Sequence, residues 1–209
     1  MKVQAETRAF YTEIERLFKK KSAKMLGGSN QAICLSPQDP RSDIKLIRNI
    51  IFNELDELFV PFAELEVGKL IGKGATSEVY IGQFKFSQVA IKKVRLGSLA
   101  PKQLMNIVYE MKFLRKMRHP NIITLYGVSI DASFNVYIIT ELCEQQSLKS
   151  FFKKFKDKIP NKVKHKMIFD IAKSLNHIHS DKPGMVHRDI KPENIFLTSD
   201  LKAKLGDFG

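Results

Sequence analysis

Two short runs near the end of the chain bring together carboxylate, amide and ammonium side chains. The first run is HRDIKPEN at residues 187–194, and the second is Asp207-Phe208-Gly209, thirteen residues after Asn194. Five letters of the first run (His, Arg, Asp, Lys and Asn) coincide by chance on the order of 10⁻⁷ per start position, taking roughly one in twenty per letter. Because Asn194 and Asp207 offer oxygen ligands, which hard Mg²⁺ prefers, the two runs predict a magnesium site.

Within the first run, Asp189 and Lys191 have the residue types needed to move a proton and to offset charge. Asp189 can accept the proton of an incoming hydroxyl, and Lys191 can stabilise a phosphoryl group during its transfer. Magnesium at the neighbouring site would bridge the phosphates of a nucleotide. Together these residues indicate phosphoryl-transfer chemistry.

A glycine-rich run and a strand lysine earlier in the chain could hold the same phosphates. Residues 71–79 read IGKGATSEV between two predicted strands, and Lys92 follows the apolar residues 89–91. Glycines let a hairpin backbone approach phosphate oxygens closely, and a lysine at the edge of a dry cleft can bind them. Neither feature is specific by itself, since hairpin turns need no ligand and Lys92 could be exposed like its neighbour Lys93.

Glu110 lies eighteen residues after Lys92, on a predicted helix with one apolar face. A helix packed against that strand would bring the carboxylate towards the ammonium group, and we expect the two groups to approach within about 4 Å. Most helix glutamates are merely solvated, so Glu110 gains its significance from the surrounding motifs.

The predicted elements are strands around one helix, followed by helices. Short β-rich runs between glycine-containing or polar turns indicate strands, and apolar residues at helical spacing indicate helices. The pattern predicts an α+β fold with a five-stranded antiparallel N-lobe, one inserted helix and an incomplete helical C-lobe. The predicted strands are 66–72, 78–84, 88–94, 122–130 and 136–142, and the predicted helices are 101–117 and, beyond residue 147, notably 163–179.

The first 60 residues read as two helices joined by a polar linker. Apolar residues recur at helical spacing within residues 1–24 and again from Ser42 to Phe59, where Pro61 ends the pattern. Glycine, serine and proline between residues 27 and 41 indicate the linker. The sequence leaves open whether this extension docks on the following domain, pairs with another chain or moves freely.

Composition excludes several classes of protein. Of the 209 residues 44% are hydrophobic, yet no stretch approaches the roughly 20 apolar residues that span a bilayer. The N-terminus lacks a secretory signal, and two cysteines are too few for a disulfide framework or a zinc site. These absences predict a reducing, cytoplasmic location and no transmembrane segment.

Much of the net charge of +13 comes from Lys149 to Lys166, which hold eight lysines against the single acid Asp157. A solvated surface is the ordinary explanation of such a run. The alternative is an anionic partner, such as an acidic substrate region or a lipid surface. We expect no nucleic-acid partner.

The ordered set of motifs, from the glycine-rich run to Asp207-Phe208-Gly209, resembles the protein-kinase superfamily. The resemblance begins at about Phe62 and implies a kinase domain at 61–209, with an N-lobe at 61–143 and a partial C-lobe at 144–209. Residues 1–60 would be an N-terminal extension. Residues 62–65, 125–128 and 180–183 resemble the tyrosine-kinase-like group of serine/threonine kinases.

The resemblance implies binding of ATP and Mg²⁺ and action on serine or threonine of a protein substrate. Lys191 favours these two residues, because tyrosine kinases usually carry Ala or Arg in that loop. Lys92 would pair with Glu110 and with the α/β phosphates, Asp189 would be the catalytic base, and Thr140 would be the gatekeeper behind the adenine. The implied nucleotide-binding residues are Ile71, Gly72, Lys73, Gly74, Ala75, Thr76, Ser77, Val79, Ala90, Lys92, Glu110, Thr140, Glu141, Cys143 and Phe196; the implied catalytic residues are Asp189, Lys191 and Lys92, and the implied metal ligands are Asn194 and Asp207.

Three departures from the family pattern bear on this interpretation. Ser77 replaces the third glycine of the loop, and Gln146 stands where glycine is common. The motifs end at Gly209, so we expect the chain by itself to bind ATP weakly and to transfer no phosphoryl group. The alternative interpretation is a non-catalytic nucleotide-binding or scaffold fragment that acts through its N-terminal helices. The intact set of catalytic and metal-binding residues argues against a degenerate kinase.

Overall fold

The structure is a computed structural model, and it describes residues 55–95, 99, 101–133, 135–181 and 186–207. The helix predicted within residues 1–24 and the linker after it lie outside the described residues, as do residues 182–185, Phe208 and Gly209. Most of the helix predicted from Ser42 to Phe59 also lies outside them. Its described end forms a 3-10 turn at Asp56–Leu58.

The N-lobe is built on a five-stranded antiparallel sheet in the order β1-β2-β3-β5-β4. Its central strands are rich in β-branched and aromatic residues, which suit a pleated, half-buried surface. The five strands and the inserted helix confirm the predicted fold. The strands are β1 Leu65–Lys73, β2 Ser77–Phe84, β3 Ser87–Arg95, β4 Leu125–Ile130 and β5 Asn135–Glu141, and helix α1, Pro101–Lys116, follows β3 in the chain.

The register of β3 with its neighbours decides which side chains share a face. Lys92 is paired with Val79 of β2, and Ala90 is paired with Thr140 of β5. Alternate residues of a strand point to opposite faces, so Ala90 and Lys92 share one face while Ile91 between them is fully buried on the other. The register therefore gathers side chains from three strands on one side of the sheet.

Helix α1 packs its apolar side into the core of the N-lobe. Val108, Met111 and Leu114 are buried, at the three-residue spacing of one helix face. Glu110 is buried as well, with 8% of its surface exposed. Carboxylates are rarely buried without a partner, so the position of Glu110 requires a cation nearby.

The C-lobe contains helices α2, Leu148–Phe155, and α3, Asn161–Asp181, and a small hairpin of β6, Ile195–Leu197, with β7, Ala203–Leu205. Ser147 caps α2 by accepting a hydrogen bond from the backbone N–H of Ser150. The hairpin corrects the sequence analysis, which expected only helices beyond residue 147. Strands of three residues are too short to show an alternating pattern, so this pair leaves no sequence signal.

Strand β7 is buried along its whole length and joins the two lobes. The backbone N–H of Ala203 donates to the Asp170 carboxylate of α3 at 3.2 Å. From the N-lobe side, the Asn121 amide donates to the carbonyl of Ala203, and the N–H of Leu205 donates to the carbonyl of Asn121, both at 2.9 Å. Because β7 runs directly towards Asp207, these bonds fix the approach to that residue.

Helix α3 is the longest helix described, with 21 residues. It buries Met167 and Ile178 against the core and leaves Ile168 and Phe169 exposed on its outer side. Across the described ranges, neither α3 nor any other helix is long and apolar enough to cross a membrane.

Candidate active site

A cleft of about 460 Å³ lies where the N-lobe sheet meets the β6–β7 hairpin. Its walls come from β1, β2, β3 and β5 on one side and from Phe196, Gly206 and Asp207 on the other. Cavities of roughly 300–1,000 Å³ with a few polar groups are typical of small-molecule and cofactor sites. The cleft is therefore large enough to hold a nucleotide.

The glycine-rich run lines this cleft along most of its length. Lining residues from the run are Ile71, Gly72, Lys73, Gly74, Ser77 and Val79, whereas Ala75 and Thr76 are not among them. The backbone N–H of Gly74 donates to the carbonyl of Ser77 at 2.8 Å and closes the hairpin. Ser77 begins strand β2 in extended backbone, paired with Val94, so this position does not require a glycine.

The adenine and hinge residues predicted from the resemblance also line the cleft: Ala90, Thr140, Glu141, Cys143 and Phe196. The Glu141 carboxylate, however, accepts hydrogen bonds from the backbone N–H of Thr124 at 2.6 Å and from the ammonium of Lys204 at 2.8 Å. Both partners of this ion pair are largely buried. Sequence reasoning missed Lys204, because 63 residues separate it from Glu141 and no local pattern marks it.

Cys143, at the predicted hinge, and Gln146, three residues later, have distinct properties. Cys143 is a free, buried cysteine, and burial raises the pKa of its thiol to about 12, helped by the nearby Glu141 carboxylate. The thiol is therefore neutral near pH 7. Gln146 has φ 61°, in the left-handed region that favours glycine, at a cost of roughly 1–2 kcal/mol for other residues.

Lys92 stands between two carboxylates at the inner end of the cleft. Its ammonium lies 3.2 Å from Glu110 and 2.8 Å from Asp207. The distance to Glu110 confirms the expected approach of these two groups. Burial by itself would lower the pKa of Lys92, but the two carboxylates hold this pKa well above its usual range.

The two carboxylates differ in their environment. Burial raises the pKa of Glu110, since its surroundings disfavour the charged form. Burial also acts against ionised Asp207, yet the Lys92 ammonium outweighs it and holds the pKa of Asp207 below its usual range. Lys92 is thus fixed by one buried acid and by one acid that remains readily ionised.

Asp189 is held by its neighbours in the loop at residues 187–194. Its carboxylate accepts a hydrogen bond from the Lys191 ammonium at 2.5 Å and another from the Asn194 amide at 2.9 Å. The Lys191 ammonium, with the Asn194 amide, holds the pKa of Asp189 below its usual range. Asp189 is therefore ionised near pH 7 and able to accept a proton, although neither it nor Lys191 lines the cleft.

The buried ring of His187 supports the loop from behind. Its Nδ1 accepts from the backbone N–H of Asp189 at 3.3 Å, so its Nε2 carries the proton and donates to the carbonyl of Gly206 at 3.0 Å. Burial lowers the pKa of His187, which keeps the ring neutral. Arg188, which follows His187, has φ 69°, and Asp207, which follows Gly206, has φ 51°. The residue after each end of this hydrogen bond therefore has left-handed backbone.

Asn194 and Asp207 have a donor set that fits Mg²⁺. The Asn194 amide uses its N–H₂ group on the carbonyl and the carboxylate of Asp189, which leaves its oxygen as the group that can bind a cation. The N–H of Gly206 donates to the carbonyl of Asn194 at 2.9 Å and brings this residue next to Asp207. Within the described ranges there is no cluster of three His, Cys, Asp or Glu side chains; Mg²⁺ typically needs only one or two protein ligands when phosphates supply the rest.

Sequence reasoning did not single out Glu193, although it lines the cleft. Its carboxylate lies 2.8 Å from the ammonium of Lys149, the first residue of the lysine-rich segment.

Comparison with known proteins agrees with this geometry. The family described as Protein kinase domain matches residues 65–209. The chain is 36% identical over 150 residues to a putative serine/threonine-protein kinase/receptor of Acanthamoeba polyphaga mimivirus, an alignment that covers 72% of this chain and 9% of the relative. It is 34% identical over 146 residues to the probable serine/threonine-protein kinase drkB of Dictyostelium discoideum, covering 70% of this chain and 21% of the relative. It is 38% identical over 149 residues to cell division control protein 7 of Schizosaccharomyces pombe, covering 70% of this chain and 14% of the relative.

The matched residues contain the whole cleft, the ion cluster around Lys92 and the loop at residues 187–194. The chain spans at most 21% of the length of these three relatives. The match covers well over half of the chain, and the chain belongs to the protein kinase domain family.

Proposed function

We propose that the protein containing this chain transfers the γ-phosphoryl group of ATP to a serine or threonine hydroxyl of a protein substrate. The observation that carries the proposal is the position of Lys92, 3.2 Å from Glu110 and 2.8 Å from Asp207 at the end of a nucleotide-sized cleft. An ammonium group fixed in this way can hold phosphate oxygens while the neighbouring carboxylate holds the metal.

The nucleotide would bind with its base between the hinge and Phe196 and with its phosphates under the glycine-rich run. Asn194 and Asp207 would hold Mg²⁺, which neutralises charge on the phosphates when bound. Lys92 would orient the phosphates, because its own direction is fixed by Glu110. These roles account for the intact cleft residues better than the alternative of a non-catalytic scaffold.

Asp189 would accept the proton of the substrate hydroxyl, and Lys191 would offset charge on the group in transfer. The 2.5 Å contact between them keeps the carboxylate ionised and aimed. Lys191 also supports serine and threonine as acceptors, as do the names of the relatives. We also propose that the protein belongs to the tyrosine-kinase-like group of serine/threonine kinases.

We also propose a domain organisation and a cellular location for the protein. Residues 61–143 would form the N-lobe and 144–209 the C-lobe portion, after an extension at 1–60. A cytoplasmic location fits an ATP-dependent reaction and the free thiol of Cys143.

The roles of the two aspartates can be separated by calorimetric titration of the protein that contains this chain with Mg·ATP. We expect Asp207→Asn to weaken Mg²⁺-dependent ATP binding by about tenfold or more, because it removes a metal ligand. Asp189→Asn should leave the affinity nearly unchanged, since that residue meets only the reacting hydroxyl. Equal losses in both variants would show that the roles are misassigned.

Phosphoryl transfer is tested with radiolabelled ATP and a generic basic protein, using the protein that contains this chain and Lys92→Met as the blank. The expected products are phosphoserine and phosphothreonine. Transfer mainly to tyrosine would overturn the interpretation of Lys191. ATP binding without transfer in the whole protein would favour the non-catalytic alternative.

The proposed partner of the lysine surface, Lys149–Lys166, is an acidic stretch of the protein substrate. Lys149 pairs with Glu193 beside the catalytic loop, and Lys166 donates to the carbonyls of Asp200 and Leu201. Other lysines of the surface, such as Lys153, are exposed to solvent. Since α2 packs against the turn at Pro192–Asn194, these lysines border the position of the acceptor hydroxyl.

Reversing charge at Lys153, Lys154 and Lys156 should weaken binding of a labelled acidic, serine-containing peptide by about tenfold at low salt, and added salt should remove the difference. Reversal of three exposed lysines elsewhere, Lys69, Lys116 and Lys173, is the matched control. Equal peptide binding by both variants, or loss only of binding to anionic vesicles, would contradict the proposed partner.

A further inference from the structure

A cluster of charged and hydroxyl side chains lies behind the glycine-rich run, on the face of the sheet opposite the cleft. Its centre is Glu78 of β2, whose neighbours in the chain, Ser77 and Val79, both line the cleft. Successive residues of a strand point to opposite faces, so Glu78 points away from the cleft. Its side chain is nevertheless only 15% exposed, because surrounding side chains cover most of the carboxylate.

Two donors, one on β3 and one on β2 itself, hold the Glu78 carboxylate. Nη2 of Arg95, the last residue of β3, lies 3.2 Å from Oε1 and 3.3 Å from Oε2. The Tyr80 hydroxyl donates to Oε2 at 3.0 Å. The hydrogen bond from Tyr80, followed by the attraction of Arg95, holds the pKa of Glu78 below its usual range. The carboxylate is therefore ionised near pH 7.

Tyr80 connects this cluster to the apolar core on the same face of the sheet. It pairs with Ile91 of β3, and its side chain packs against the buried group that contains Val89, Ile91 and Ile139. Because the body of Tyr80 is packed in this way, its hydroxyl has a limited choice of directions. The hydrogen bond to Glu78 therefore joins the start of β2 to the packed outer side of the sheet.

The start of β2 is also where the glycine-rich run turns back along the cleft. Lys73 of β1 pairs with Glu78 in the ladder, and its ammonium lies 4.0 Å from the same carboxylate. Next to this pair, the backbone N–H of Gly74 donates to the carbonyl of Ser77 and closes the turn. Glu78 thus contacts side chains of three strands directly beside the closed turn.

We infer that Glu78 is a positioning residue, which holds the glycine-rich run over the nucleotide. The inference rests on the proposed function, because it gives Glu78 a role in placing the groups that cover the phosphates. Through Arg95 and Tyr80, the carboxylate keeps the turn closed and keeps Ser77 and Val79 directed into the cleft. Without the carboxylate, this end of the hairpin opens more often, and a bound nucleotide loses part of its cover.

A role through charge alone predicts the opposite change in nucleotide affinity. Loss of the Glu78 carboxylate removes a negative charge from beside Lys73, which strengthens the attraction of the site for phosphates. Loss of positioning weakens nucleotide binding instead, because the binding-competent arrangement of the run is then populated less. The sign of the change in affinity therefore separates the two roles.

Backbone hydrogen exchange reports the closed turn without any nucleotide. In the protein that contains this chain, we expect Glu78→Ala to raise exchange of residues 71–79 at least about threefold, measured by mass spectrometry of fragments. Residues 135–141, in the same sheet, should exchange as before. Glu66→Ala removes an exposed carboxylate of β1 and is the matched control, with no change expected in either segment.

Steady-state kinetics of phosphoryl transfer give the second measurement. We expect Glu78→Ala to raise the KM for ATP about fivefold and to leave kcat nearly unchanged, because the cover contributes to binding before and during transfer. Glu66→Ala adds the same charge to the protein and should leave both constants unchanged. A general loss of stability would lower the amount of active protein and would not produce this division between KM and kcat.

A coupling test assigns the effect to the contact between Glu78 and Arg95. Arg95→Ala should raise both the exchange of residues 71–79 and the KM for ATP. Adding it to Glu78→Ala should give no further increase, since the two residues act through one contact. Arg95→Lys keeps a cation at this position and should recover part of the loss. Tyr80→Phe removes one hydrogen bond to the carboxylate and should have a smaller effect than Glu78→Ala.

Three results would overturn the inference: unchanged exchange of residues 71–79 in folded Glu78→Ala, a lower KM for ATP in that variant, or additive effects of Glu78→Ala and Arg95→Ala. Should Glu78→Ala fail to fold, Glu78→Gln conserves the volume, removes the charge and provides the same comparison. Hydrogen exchange needs no ATP. A failure of the unmodified protein to bind Mg·ATP, which would count against the proposed function, is therefore distinguishable from a failure of this inference.

Discussion

The two groups of charges in the site, the Lys92 cluster and the Asp189 cluster, have similar residue types in different surroundings. Lys92 meets the buried Glu110, whose side chain is 10% exposed, and Asp207, whose side chain is 44% exposed. Asp189 meets Lys191 with side chains 44% and 45% exposed. The Lys92–Glu110 pair gives up hydration of its charges for a fixed geometry, whereas Asp189, the proposed base, keeps water close to its carboxylate.

This difference shows what each cluster contributes. A buried pair that loses one partner leaves a charge without compensation, so the fold itself depends on it. An exposed pair adds little to stability and acts through its position alone. We therefore expect changes to the Lys92 cluster to alter folding as well as binding, and changes to the Asp189 cluster to alter transfer only.

The largest expected effect is that of Lys92→Met on the unfolding free energy. The change leaves Glu110 buried without its cation, which should cost about 3–5 kcal/mol at pH 7.5 in urea unfolding. Burial raises the pKa of Glu110, so the carboxyl takes up a proton in the folded state more readily than in the unfolded state. The deficit should therefore shrink as pH falls from 7.5 to 5.

Lys93→Met is the matched control for this experiment. Lys93 neighbours Lys92 on β3 and lies 5.8 Å from the centre of the Tyr137 ring. Lys93→Met should lower the unfolding free energy by less than about 1 kcal/mol, because it removes only this contact with the Tyr137 ring. Similar losses in both variants, or a Lys92→Met deficit independent of pH, would contradict the picture of a buried, coupled cluster.

The pair of Glu141 and Lys204 is a second buried pair, with side chains 15% and 11% exposed. Lys204→Met should lower the unfolding free energy by about 2 kcal/mol, because among the described residues the Glu141 carboxylate then keeps the N–H of Thr124 as its single hydrogen-bond partner. Lys202→Met, two residues earlier, serves as the comparison. An unfolding free energy that is unchanged or higher in Lys204→Met would show that burial of an ion pair does not by itself make the fold depend on that pair.

His187 connects the two clusters, since it contacts the N–H of Asp189 and the carbonyl of Gly206 next to Asp207. Burial lowers the pKa of His187 in the folded state, whereas the unfolded chain binds the proton with a pKa of about 6.5. The contribution of neutral His187 to the unfolding free energy is therefore fully present above about pH 6.5. It is lost as the pH falls below about 6.5, by at most about 1.4 kcal/mol per pH unit.

His187→Gln should remove this part of the pH dependence, and His165→Gln, at an exposed position on α3, should keep it. The measurement is urea unfolding at several values of pH between 7.5 and 5.5, with each variant compared at each pH. An unchanged slope in His187→Gln would mean that the ring is not held neutral by the fold.

The smallest expected effect on folding is that of Lys191→Met. Its exposed pair with Asp189 should leave the urea midpoint unchanged within error, while phosphoryl transfer by the protein that contains this chain should drop by about a hundredfold. Lys164→Met, on α3, is a control for both measurements. A clear loss of stability in Lys191→Met would remove the distinction between the two clusters.

The sequence predicted the residues of the site better than the contacts between them. The runs 71–79, 187–194 and 207–209 have fixed spacing, so their roles could be inferred from order alone. The partnership of Lys204 with Glu141 could not be inferred, since it depends on a hairpin whose strands have three residues each. The complete burial of Leu55 was also out of reach, because helical periodicity shows that a face is apolar and does not show what covers it.

The left-handed backbone at Arg188 means that part of the loop at residues 187–194 is held against its local preference. An arginine at φ 69° costs roughly 1–2 kcal/mol relative to ordinary backbone, and Arg188→Gly would release that energy to the folded state. The same change would let the peptide ahead of Asp189 sample many orientations. Under the proposed function, selection for heat resistance alone would therefore loosen the orientation of the Asp189 carboxylate, and a library of variants screened by melting temperature would enrich chains that are more stable and slower in phosphoryl transfer.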